Sequence, residues 1–236
     1  MLKALLPRPK EERDETGISE EDIDGKVVDA VCSRLAEGQI GILPTETVYG
    51  LVGNAKDDSV VERIYAAKGR DPGKALPVWV FRWEDVAGLG VAVSEHAEKL
   101  ARNFWPGPLT LVLPFLGASH CRWQIAPTLL KQWSEKKSVA VRIPDHPFAR
   151  SVLRHMASPL IATSANRSGQ APATLSNPSD AVLRSKVDWI VDAGPSVFGR
   201  ESSVVLCDEG GWRILREGAL RGVMIQKALE QVKDRV

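Results

Sequence analysis

Ile40-Gly41-Ile42-Leu43-Pro44-Thr45-Glu46-Thr47-Val48-Tyr49-Gly50 is a short aliphatic run stopped by a proline and followed by a polar turn. Such a run suits a buried strand, and Pro44 ends it. The strand therefore delivers two hydroxyls and a carboxylate to one sheet edge. Downstream, Val60, Val61, Ile64 and Tyr65 recur at helical spacing, with Asp57-Asp58-Ser59 as N-cap and Gly69 as C-terminal stop. The helix expected over residues 57–67 runs into Lys68-Gly69-Arg70, Lys74 follows, and a second apolar run spans residues 76–81. Strand, polar loop, helix, basic loop and strand make the unit of an α/β fold.

Two cations beside a glycine suit an anion, because arginine offers a planar fork of donors and lysine a compact point charge. A polyphosphate could use both. Taken alone, Lys68 and Arg70 read first as cations that favour the negative end of the helix dipole and stay solvated. The rest of the chain has to decide between these readings.

At 236 residues, 44% hydrophobic and 26% charged, the chain has the composition of a globular protein. A net charge of +1 leaves no global attraction for nucleic acid, so any such surface must be a local patch. Cys32, Cys121 and Cys207 are widely spaced and odd in number, which argues against a disulfide framework and for a reducing compartment. No CxxC or HExxH spacing occurs, and the adjacent His120-Cys121 pair lacks further ligands. With no long apolar run and no apolar N-terminal core, no membrane span or signal peptide is expected, and the cytoplasm is the expected location.

Residues 1–23 mix charges without apolar periodicity and read as a mobile arm, leaving residues 24–236 as the domain. Helices are expected over 26–37, 83–89, from Ser94 to Trp105, over 147–156 and 178–185, and from Val223 onward. Strands are expected over 109–114, carrying Thr110, over 138–143, carrying Arg142, and over 160–163, 187–192 and 204–206. Glu209-Gly210-Gly211 is a hairpin turn into a strand over 212–216, while residues 115–127 have no readable pattern. Arg142 inside an apolar strand requires either a wet strand end or an anionic partner, because burying an unpaired guanidinium is costly. The result is one α/β domain around a mixed sheet, with Thr45, Thr47, Ser164, Asn166, Ser202 and Ser203 on strand-end loops, where sites are usually built.

Six motifs in this order, PTETVYGL (44–51), KGR (68–70), PGPLT (106–110), VRIPDHP (141–147), TSAN with SG (163–169) and ESSVV (201–205), resemble the YrdC family. The resemblance covers roughly residues 24–222. It implies a single α/β domain with a twisted mixed parallel and antiparallel sheet flanked by helices and bearing a basic concave surface. It also implies L-threonylcarbamoyladenylate synthase activity, which joins L-threonine, bicarbonate and ATP to give threonylcarbamoyl-AMP and pyrophosphate. A downstream threonylcarbamoyl transferase then modifies tRNA, and contact with double-stranded RNA or tRNA is expected.

Carried over residue by residue, Lys68, Arg70, Ser164 and Asn166 would be catalytic and would bind ATP together with Lys74, Thr110 and Arg216. Thr45, Thr47, Arg142 and Ser202 would hold threonine. Mg²⁺ is expected with ATP, with no ligands identified. Thr45 and Thr47 could instead satisfy turn backbone. Where the family commonly has a Pro-Leu pair and then a histidine, this chain has Ala75-Leu76-Pro77-Val78-Trp79, so Trp79 brings a large apolar group to the threonine pocket. The chain is similar to the short form of the family, with an added N-terminal arm. The alternatives are a non-catalytic RNA-binding module and a carbamoyl-adenylate enzyme with another acceptor.

Overall fold

A computed structural model describes residues 24–166 and 181–230. The arm expected over 1–23, the Arg167-Ser168-Gly169 part of one motif, the start of the helix expected from Pro178, and residues 231–236 lie outside them. The helices are α1 (Gly25–Ala36), α2 (Asp58–Lys68), α3 (Trp83–Val86), α4 (Glu95–Phe104), α5 (Pro127–Lys136), α6 (Pro147–Met156), α7 (Ala181–Arg184) and α8 (Gly222–Glu230). The strands are β1 (Gly41–Leu43), β2 (Gly50–Asn54), β3 (Val78–Trp79), β4 (Leu109–Pro114), β5 (Ser138–Arg142), β6 (Leu160–Ser164), β7 (Trp189–Ile190), β8 (Ser203–Asp208) and β9 (Gly211–Arg216).

All these strands join one sheet in the order β7-β1-β2-β6-β3-β5-β4-β8-β9. It is mixed: β1 with β7, β3 with β5 and β4 with β8 are parallel, and the other neighbours are antiparallel. Because side chains alternate across a strand, Ile42 and Leu51 face one apolar cluster while Leu43 and Val52 face another. Helices α1 and α6 cover the second face with Val28, Val31, Leu35, Phe148 and Val152. Helices α2, α4 and α5 cover the first with residues such as Ile64, Leu100 and Trp133. Burial on both faces explains why the strands read as continuous apolar runs rather than alternating ones.

Several expected elements form through the expected chemistry. Asp57 caps α2 by accepting from Ser59 N, and Gly69 closes it at φ 57° in the left-handed region. Ser94 caps α4 through Ala97 N. Strand β3 is shorter than the run over 76–81 suggests.

Two elements have no counterpart in the sequence reading. Helix α5 has no side-chain cap at Ala126, only Pro127 at its first position, and ends on Lys137 at φ 54°, where a glycine would normally mark the stop, so its terminal signals are weak. Strand β2 contains Gly50 and Gly53, and glycine lowers any strand signal. Both glycines are there for close packing: a Cβ at Gly53 would lie 2.3 Å from Val60 Cγ1, and one at Gly50 would lie 2.5 Å from Trp79 Cη2.

Gly50→Ala should therefore destabilise the protein by about 1–3 kcal/mol through overpacking. A Trp79→Phe background should recover most of that loss. Urea unfolding of the single and double variants measures both, and equal losses in the two backgrounds would rule out the contact as the cause.

Candidate active site

The turn after β1 is held by its own threonine. Thr45 Oγ1 donates to Val48 O at 2.6 Å and accepts from Thr47 N and Val48 N, and it lies 2.9 Å from Thr47 Oγ1. This arrangement turns Glu46 inward, toward the end of β5. There Arg142 Nη2 donates to Glu46 Oε1 at 2.5 Å and Arg142 Nε donates to Gly107 O at 3.1 Å. Both side chains of the pair are buried, at 6% and 7% exposure. The anionic partner that Arg142 required is thus Glu46, and the second carboxylate oxygen, Oε2, is buried without a hydrogen bond.

The same buried charges act on the loop after β5. Burial, and then the like charge of Glu46, push the Asp145 carboxyl up, against the pull of Arg150 and Arg142. Burial pulls His146 down to about 4, with Glu46 opposing. A neutral imidazole suits its task, since Nδ1 accepts from Phe148 N and caps α6.

At the C-terminus of α2, Lys68 turns back into the protein. Its ammonium donates to Ser164 O at 2.5 Å, to Asn166 O at 2.7 Å and to Asn166 Oδ1 at 3.3 Å. An ammonium has three donors, and here all three go to the strand-end loop after β6. Burial, and then the like charge of Arg70, pull Lys68 down to about 8, with Glu201 opposing. Arg70 is tied through Nε to Lys74 O and through Nη2 to Ala75 O. Burial lowers its proton affinity too, yet an arginine stays charged.

The loop before β8 completes the site. Thr110 Oγ1 and Ser202 Oγ are 2.8 Å apart. Arg216, at the end of β9, donates twice to Ser202 O, from Nε at 3.2 Å and Nη2 at 2.9 Å, and its Nη1 donates to Glu201 Oε2 at 2.6 Å. Ser203 turns away, donating to Leu220 O and accepting from Gly218 N.

These groups meet at a cavity of about 220 Å³ whose polar wall is Arg70, Thr110, Arg142, Ser164, Ser202 and Arg216. Val48, Tyr49, Gly50 and Trp79 supply apolar wall, and Glu201 is its carboxylate. Six of the residues singled out in the sequence therefore share one concavity. Lys68 and Asn166 stand behind Ser164, and Thr45 and Thr47 are buried in the turn. Lys74 is exposed and is drawn in only through its backbone carbonyl, which accepts from Arg70 and from Tyr65 Oη.

The carboxylates that hold the arginines, Glu46 and Glu201, were not among the candidate site residues. For Glu46 the signal was present, as an arginine within an apolar strand calls for an anion and the first turn carries one. Among the described residues no group of three His, Cys, Asp or Glu could hold a metal ion, and both of these carboxylates pair with arginines. Among the described residues of the cavity wall, no such group marks a Mg²⁺ site. The three cysteines are free thiols, and among the described residues no helix is long and apolar enough to cross a membrane.

Comparison with known proteins places this cavity in context. The chain is 35% identical over 199 residues to threonylcarbamoyl-AMP synthase of Pyrococcus abyssi, covering 84% of this chain and 56% of the relative. The chain thus spans little more than half of that relative's length. It is 32% identical over 203 residues to a putative threonylcarbamoyl-AMP synthase of Mycobacterium tuberculosis, covering 86% of this chain and 88% of the relative. The structure of P. abyssi Sua5 complexed with L-threonine superposes with a TM-score of 0.75 at 34% identity, over 90% of this chain and 58% of that one. The family Sua5_yciO_yrdC, described as Telomere recombination, matches residues 33–218, a span that holds every cavity residue named above. With the mixed sheet, the strand-end motifs and these relatives in agreement, the chain belongs to the Sua5/YciO/YrdC family.

Proposed function

We propose that this chain is an L-threonylcarbamoyladenylate synthase, making threonylcarbamoyl-AMP and pyrophosphate from L-threonine, bicarbonate and ATP. The observation that carries the proposal is the convergence of three guanidinium groups, Arg70, Arg142 and Arg216, with the hydroxyls of Thr110, Ser164 and Ser202 on one cavity. The threonine amine and bicarbonate condense to a carbamate with loss of water, and a carbamate oxygen attacks the α-phosphorus of ATP as the bond to pyrophosphate breaks. Negative charge builds on the phosphates and the leaving group, so the chemistry needs fixed cations and donors more than a strong base.

Each cation is held by the chain in a way that suits this task. Arg142 is braced from behind by Glu46 and Gly107 O, Arg216 by Ser202 O, and Arg70 by the carbonyls of Lys74 and Ala75. Preorganised donors of this kind need not reorganise as charge develops. Lys68 contributes a positive field and holds the Ser164–Asn166 loop in place, rather than offering a free donor. In this reading Arg142 and Ser202 face the threonine, Trp79 gives its methyl group an apolar wall, and Mg²⁺ arrives on the phosphates of ATP. The product passes to a threonylcarbamoyl transferase acting on tRNA, a reaction of the cytoplasm.

The test is pyrophosphate release from ATP with L-threonine and bicarbonate left out in turn. Release should require both. Release that is indifferent to threonine, or no release at all, would overturn the proposal.

A further inference from the structure

Two carboxylates neutralise arginines at the cavity, and they do so in opposite settings. The Glu46–Arg142 pair is buried, with side-chain exposures of 7% and 6%, whereas the Glu201–Arg216 pair is open, at 31% and 44%. Parting a buried pair strands a charge away from water, while parting an exposed one exchanges it for hydration at little cost. Glu46 is therefore a permanent counterion, and Glu201 is free to leave.

Arg216 does not need Glu201 to stay in place. Its Nε and Nη2 are fixed on Ser202 O, and only Nη1 is given to the carboxylate. Glu201 also acts beyond Arg216, since its charge raises the proton affinity of both Lys68 and Arg70. One half-buried carboxylate thus lies in the field of three cations, at the wall where an incoming phosphate would compete for the same donors.

We infer that Glu201 is an exchangeable counterion, which occupies the cation cluster when no nucleotide is bound, gives way to the polyphosphate, and returns to Arg216 as pyrophosphate leaves. This rests on the reading that the cavity takes a nucleotide. A multiply charged phosphate chain displaces one carboxylate, whereas a monophosphate competes with it less well, so Glu201 selects for polyphosphate over monophosphate. It also keeps pyrophosphate from binding too tightly after the reaction.

The experiment is isothermal titration of inorganic pyrophosphate, ATP and AMP into wild-type protein and Glu201→Gln, with and without Mg²⁺, with thermal melts of both. Removing the competing charge should tighten pyrophosphate and ATP about three- to tenfold, and AMP less. In turnover, KM for ATP and kcat should fall together, as release of pyrophosphate slows. Glu209→Gln, which removes an equal charge from the exposed β8–β9 turn, should leave all three affinities unchanged. Unchanged or weaker polyphosphate binding in Glu201→Gln, at either Mg²⁺ condition, would overturn the inference and make Glu201 an anchor or a metal ligand. Equal tightening in Glu209→Gln would overturn it as well, by reducing the effect to net charge. If wild-type protein binds neither ATP nor pyrophosphate, the nucleotide reading itself fails and the inference falls with it.

Discussion

Glu46→Ala is expected to destabilise the protein by about 3–5 kcal/mol, because it leaves a guanidinium buried and unpaired. Arg142 would keep one hydrogen bond, to Gly107 O, at 5% exposure, with Asp145 left to act on its charge only through space. For a chain of this length such a loss corresponds to a drop of roughly 10 °C in melting temperature. By comparison, the exposed pair of Glu98 with Arg102 on α4 is worth about 0.3–0.5 kcal/mol. Glu46→Gln keeps an acceptor for Arg142 and should lose less than the alanine variant. Chemical unfolding of both variants decides the matter, and a loss below about 1 kcal/mol for Glu46→Ala would show that Arg142 finds its compensation elsewhere. The cost matters for function, because the same pair aims Arg142 at the cavity.

Arg70→Ala is expected to reduce threonine-dependent pyrophosphate release by about 10²–10³-fold, the range seen when one preorganised donor is removed from a transition-state site. Its melting temperature should change little, since Arg70 is bonded only to two carbonyls in the adjoining loop, Lys74 O and Ala75 O. Lys68→Ala should behave differently. Removing that ammonium takes the charged donor from Asn166 O and leaves Ser164 O with Asn166 N, so both activity and stability should fall. Measuring melting and pyrophosphate release on the same preparations separates the two roles. An Arg70→Ala protein with full activity would remove this guanidinium from the proposed mechanism, and a Lys68→Ala protein that melts like wild type would remove the pinning role.

Local chemistry made most elements legible. Asp57 and Gly69 mark the ends of α2, Ser94 starts α4, and Pro106 follows it, each through a side chain or ring acting within a few residues. Helix α5 was nearly silent because only Pro127 announces its start, after an uncapped Ala126, and it stops on Lys137 in a left-handed conformation where no glycine stands. Strand β2 was silent because its two glycines are set by packing against side chains of other elements, Trp79 of β3 and Val60 of α2.

The motifs were equally legible as a set of residue types on strand-end loops, and with them the family. Which of those residues face a common cavity was decided by the sheet. The order β2-β6-β3-β5-β4-β8 brings Gly50, Ser164, Trp79, Arg142, Thr110 and Ser202 to one place from separate parts of the chain. Charge pairing was decided there too: Arg142 lies 96 residues from Glu46, and Lys68 lies 96 residues from Ser164. The sequence by itself determined the elements whose signals act over a turn or two, together with the need for an anion beside Arg142. Only the tertiary structure decided that Glu46 is that anion, that Lys68 spends its donors on the chain, and that Glu201 keeps access to water, because burial and pairing arise when strands far apart in sequence become neighbours.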